Sequence, residues 1–206
     1  MSIVDEYISG LEAAYRKVGR GDEWDDYFRK MGPRRAAEED LQAIRELYPL
    51  VPQTLLDLLT VFNGTHWQEH PEDGRLSLFS LNSDVDDGTY PYYLFSASEI
   101  VENKDSAQNY ADYIDRLHDP EEELLDIGEE IGTNSKETLW LHFADCMNGG
   151  GSSKLFIDFT PSPRGVVGQV VRYVHDPDDL SSIADSFDEY LRQVIDSGYN
   201  FIHADY

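Results

Sequence analysis

The chain has 206 residues, with 41 Asp or Glu against 16 Lys or Arg, giving a formal charge of −25 at pH 7. That balance excludes partners that need a cationic surface, namely nucleic acid and anionic membranes. Taken alone it serves solubility, and beside a basic protein it would also speed encounter. With 40% apolar residues, 13 Tyr, 9 Phe and 3 Trp, the chain has the material for a core, and one domain is expected at this length.

In chain order, Ile3, Tyr7, Leu11, Ala14, Tyr15 and Val18 recur at helical spacing, and Gly19 and Gly21 end the segment. Trp24, Tyr27, Phe28 and Met31 suggest a second short helix or packed arm before Gly32-Pro33 breaks the chain. Leu41, Ile44, Leu47 and Tyr48 form a third stripe within Ala36 to Tyr48. In "LVPQTLLDLLTVFNG", Pro52 suits a first helical turn and Asn63-Gly64 a left-handed stop. "LSLFSL" (Leu76 to Leu81) and "YPYYLFS" (Tyr90 to Ser96) read as strands, and Ser96 with Glu99 has the spacing of a capping box. Tyr110, Tyr113, Ile114 and Leu117 continue a helical stripe, followed by the acidic stretch Asp119 to Gly132. Alternation at Leu139, Leu141 and Phe143, at Leu155, Ile157 and Phe159, and at Val167, Gln169, Val171 and Tyr173 predicts an antiparallel meander. Ile183, Phe187, Tyr190, Leu191, Val194 and Ile195 predict a final amphipathic helix closed by Gly198. The order of elements is that of an α+β fold.

The motifs that would carry chemistry fail on context. Gly149, Gly150 and Gly151 invite a phosphate-cradle reading, but Lys154 follows Ser153 and opens a strand, whereas a phosphate loop opens a helix. The run is read as a turn between strands, with no phosphate or nucleotide expected there. His66, Glu69 and His70 spell a zinc-peptidase motif, yet its histidines need one helical face, and Gly64 and Pro71 bracket the stretch. Asn82, Asp84, Asp86 and Gly88 evoke a calcium loop, but Asp87 and Tyr93 stand where Gly and Glu are required. Asp145 and Asp158 offer an acid/base pair, yet one aspartate near each of two turns reads as ordinary surface chemistry. Cys146 is the lone cysteine and reads as a buried filler. The N-terminal stretch lacks a basic segment followed by an apolar one, so no signal peptide is expected, and a cytoplasmic location is.

The stretch from Trp140 onward carries a resemblance: Trp140 and Phe143, then Gly149 to Gly151, Ile157-Asp158, Pro163 with Gly165, and Gly168-Gln169-Val170. In this order they resemble the SUKH superfamily, which includes fungal cell-wall-synthesis regulators and bacterial immunity proteins. "VPQTLLDLLTVFNG" resembles its L-P-containing helix ending in N-G, with Val51 in place of Leu, and "DSFDEYLRQVI" its terminal helix. The match runs from about Ala36 to Ile195, leaving 1–35 as a helical extension of a domain over 36–206. The resemblance implies a mixed or antiparallel sheet flanked by helices, no catalytic activity, no cofactor and no metal. It also implies a protein partner, foremost a basic and often nuclease toxin domain neutralised by the chain, with an endogenous cellular protein as the alternative. Under that reading the expected contact residues are the exposed aromatics Trp67 and Tyr92 and the loop acids Asp84, Asp86, Asp87, Glu121, Glu122 and Glu123.

Overall fold

The computed structural model describes residues 2–31, 35–69, 74, 76–77, 79–85, 90–106, 125–132, 134–147, 153–174 and 178–203. Ser2 opens the first helix, α1 (Ile3–Lys17), through a reciprocal capping box with Asp5. Val4, Tyr7, Leu11 and Tyr15 fall on its buried face, as the apolar spacing predicts. Of the second short helix or packed arm expected next, the helix forms, α2 (Gly21–Met31), with Trp24 and Tyr27 buried. Helices α3 (Glu38–Leu47) and α4 (Gln53–Leu59) follow. The fourth ends before Asn63-Gly64, so this dipeptide is not its stop. Gly64 takes φ +83°, and the Asn63 side chain accepts a hydrogen bond from Ala97 N–H at 2.8 Å, capping α5 (Ala97–Glu102) instead. The Ser96–Glu99 capping box forms as expected.

Two strands, β1 (Gln68–Glu69) and β2 (Leu76–Ser77), pair as a small ribbon. Of the expected strand from Leu76 to Leu81, Leu76 and Ser77 form β2, and β3 (Asn82–Ser83) lies just beyond it. The main sheet adds β4 (Pro91–Leu94), β5 (Leu125–Ile127), β6 (Trp140–Cys146), β7 (Lys154–Asp158), β8 (Gln169–Val174) and β9 (Asp178–Ala184). Its order is β3-β4-β6-β7-β8-β9-β5, antiparallel throughout except for β5 on β9, so the sheet is mixed. The predicted meander is β6-β7-β8. The glycine run between β6 and β7 lies outside the described residues, as does the helical stripe from Tyr110 to Leu117.

Strand β9 is the main departure from expectation. Ile183 was assigned to the final helix but sits in this strand, and the helix, α6 (Phe187–Asp196), starts after the Ser186 cap. The register shifts opposite Val170 and Val171, where β9 carries one residue more than β8. That bulge breaks the period-two pattern by which a strand is read.

Helices α1, α4 and α6 pack on one face of the sheet, against Leu141, Phe143, Leu155, Ile157 and Val170. Tyrosines serve both this core and the short edge strand. Tyr7 donates to the Leu81 carbonyl, Tyr15 to the Ser80 carbonyl at 2.8 Å, and Tyr190 to the Ser83 carbonyl at 2.7 Å. These hydroxyls satisfy backbone acceptors that a neighbouring strand would otherwise take. The first helix is thereby built into the same core as the rest of the single α+β domain.

Candidate functional site

The sheet face opposite α1, α4 and α6 holds the polar residues that could do chemistry. Cross-strand pairing across β6, β7 and β8 arranges them in three rows. The first is Trp140–Asp158–Gln169, the second His142–Phe156–Val171, and the third Asp145–Lys154–Tyr173. In a regular strand His142 and Asp145, three residues apart, would face opposite sides. A bulge between His142 and Ala144 inserts one residue, sending both Phe143 and Ala144 to the helix side and bringing His142 and Asp145 together.

Between the second and third rows, His142 Nε2 lies 2.6 Å from Asp145 Oδ1, and Ser106 Oγ lies 3.0 Å from His142 Nδ1. Lys154 Nζ reaches both oxygens of Asp145 at 3.1 Å, and Tyr93 donates to Oδ2 at 3.3 Å. Burial would raise the Asp145 pKa, but His142 and Lys154 outweigh it and hold the carboxyl below its ordinary range. Burial dominates at His142, only 3% exposed, and lowers its pKa despite Asp145. The bonds fit a neutral ring that donates from Nε2 to Asp145 and accepts from Ser106 at Nδ1.

Ser106, His142 and Asp145 have the composition of a hydrolytic relay, in which the acid stabilises an imidazolium as it forms. Here Lys154 already compensates the acid and opposes charge on the ring. A lowered pKa also makes the ring a weaker base. The cluster's bonds tie β4, β6, β7 and Ser106 together as a polar strut.

The first row is a second strut. Asp158 is wholly buried, and burial raises its pKa, with bonds from Thr160 N–H at 2.7 Å and Gln169 Nε2 at 3.0 Å partly offsetting the shift. Gln169 also donates to the Glu130 carbonyl at 3.2 Å and accepts from Val166 N–H at 3.0 Å. A Cβ on Gly165 would stand 2.4 Å from that same Glu130 oxygen, and Gly168 takes φ +93°. The Ile157-Asp158, Gly165 and Gly168-Gln169 signature is thus a latch on the β7–β8 connection. Asp145 and Asp158, read from sequence as surface acids, are both buried. Asp158 lies four residues along β7 from Lys154, the cross-strand partner of Asp145. That is about 13 Å at a strand rise of roughly 3.3 Å, so the two do not form an acid/base pair.

Of the expected contact residues, Trp67 stands on the surface, 57% exposed at φ +33°. Its ring lies 6.1 Å from that of His66, which stacks on Tyr93 at 4.1 Å and pairs with Glu99 at 3.2 Å. Tyr92 departs from expectation: it is fully buried, since alternation along β4 turns it to the helix side. Asp84 is buried too, beside Arg172 at 3.9 Å, so it is no free loop acid. Asp86, Asp87, Glu121, Glu122 and Glu123 lie outside the described residues, as does His70. Gln68 and Glu69 are in a strand, the wrong geometry for the zinc motif. Among the described residues, no group of three His, Cys, Asp or Glu could hold a metal ion. Among them, too, no helix is long and apolar enough to cross a membrane.

The fold and its latches define a class: an α+β scaffold whose signature residues hold turns and strands together. The chain belongs to the SMI1 / KNR4 family (SUKH-1), whose model matches residues 35–193. Helices α1 and α2 precede the matched stretch, although α1 supplies core residues. No curated protein matches the chain.

Proposed function

We propose that this chain is a non-catalytic binding protein of the immunity type, which neutralises a toxin domain by covering it in the cytoplasm. The observation that carries the reading is where the signature residues are spent. Asn63, Gly64, Asp158, Gly165, Gly168 and Gln169 all serve turns, caps and latches, which leaves the surface of this scaffold to do the binding. Family membership supports a protein partner. The charge of −25 favours a basic partner, such as a nuclease domain with a cationic substrate groove, through fast and salt-sensitive association. Trp67 is the proposed aromatic anchor on the β4 side, with the acids Asp86, Asp87, Glu121, Glu122 and Glu123 tuning encounter.

Co-expression with any toxin domain encoded beside this gene tests the reading. Growth should be restored by the chain, and a pull-down should recover a complex that weakens as salt rises. Continued killing without any complex would overturn it. A stable complex with an endogenous protein would point to a regulatory role instead.

A further inference from the structure

The latched β7–β8 connection presents a surface that nothing in the fold requires. Val166 and Val167 are adjacent, 46% and 56% exposed, at its tip. The latch that holds them is extensive. Besides the Gln169 bonds, Ser162 N–H donates to the Glu130 carbonyl at 3.0 Å, and Ser162 Oγ to the Glu129 carbonyl at 2.5 Å. Two apolar side chains are thus fixed in water by a rigid backbone, which lowers the entropic cost of docking.

Beside the tip, between it, the end of β9 and the start of α6, runs a groove of about 420 Å³ lined by Glu130, Val166, Asp185, Glu189 and Gln193. Its one cation, Arg164, pairs with Glu129. Glu130 Oε1 accepts from Ser182 N–H at 2.8 Å and Glu189 Oε2 from Asp185 N–H at 3.1 Å, so backbone bonds hold these carboxylates in place. Fixed acids beside fixed valines complement a segment that carries a cation next to an apolar side chain.

We infer that this groove and valine tip are a docking surface for a partner-protein segment bearing arginine or lysine beside an apolar residue. The inference rests on the binding reading above and adds a second contact apart from Trp67, with β6 and β7 between β4 and β8.

Two measurements test it. In the first, amide shifts of the intact chain are followed as a short peptide of alternating arginine and leucine is added. The shifts should concentrate at residues 164–169 and 182–189, weaken with salt, and vanish when glutamate replaces arginine. Shifts spread over the acidic surface, or absent from these residues, would overturn the inference. In the second, a Val166→Asp/Val167→Asp variant is titrated with any toxin domain encoded beside this gene. Its melting temperature should stay at the wild-type value while affinity falls at least tenfold. Unchanged affinity would overturn the docking surface and leave the immunity reading standing. A peptide that maps to the groove, with a toxin domain that does not bind wild-type protein, would support the surface and overturn the immunity reading.

Discussion

The two ends of one sheet face each bury an aspartate, and their surroundings shift the two carboxyls in opposite directions. Asp145 meets a lysine, an imidazole and a phenol, and its carboxyl is pushed down. Asp158 meets an amide side chain and a backbone N–H, with no cation among its bonded partners, and its carboxyl is pushed up. Burial acts the same way on both; the presence of Lys154 and His142 decides the sign. The Asp145 end is a charge-compensated strut whose parts depend on one another. The Asp158 end is a hydrogen-bonded latch whose carboxylate is tolerated for its geometry.

That contrast predicts a ranking. Asp145→Asn leaves the Lys154 charge without its carboxylate in a nearly closed site, which costs about 3–5 kcal/mol in denaturant unfolding. A cost near that of Asp158→Asn would break the contrast. Gly165→Ala forces a Cβ onto the Glu130 carbonyl and should cost about 1–3 kcal/mol, spread over the latch. Asp158→Asn exchanges one bond to Gln169 for relief of a buried charge, so a loss of about 1 kcal/mol or less is expected.

The pH dependence sharpens the same comparison. His142 resists protonation when folded, so below its ordinary value of 6.5 the unfolded chain binds a proton that the folded chain does not, and stability falls as pH falls. The slope from this one site is at most about 1.4 kcal/mol per pH unit. Asp145 adds a further loss below 3.8, as acid protonates it in the unfolded chain first. Asp158 acts with the opposite sign: its destabilising charge disappears as pH falls through its raised folded pKa toward 3.8. In Asp158→Asn that gain should vanish, so its stability should drop more steeply with acid than that of the wild type. Matching profiles would remove the claimed difference between the two ends.

Much of this was legible in the sequence. Helical spacing located α1, α3, α4 and α6, the Ser96–Glu99 spacing located α5, and the alternation from Leu139 onward located the meander. What was hidden was hidden by bulges. The one in β6 puts His142 and Asp145 on one face at a spacing that strand alternation forbids, so the strut has no motif. The one in β9 merged a strand into the neighbouring helix pattern. Tyr92 is expected among the exposed contact aromatics, whereas every residue of β4 is buried and its ring is shut in beneath the helices. The exposed Val166 and Val167 were invisible as a surface because Val167 fits an alternating strand pattern, and only the latch geometry turns the tip outward.

The central claim is that the signature residues build a scaffold and that the acidic surface does the work by binding. Stopped-flow association with any toxin domain encoded beside this gene, at low and physiological salt, tests it most directly. The account predicts one-to-one binding whose on-rate falls steeply as salt rises while the toxin's activity is abolished. A salt-independent on-rate, or no association with the toxin still active, would contradict it.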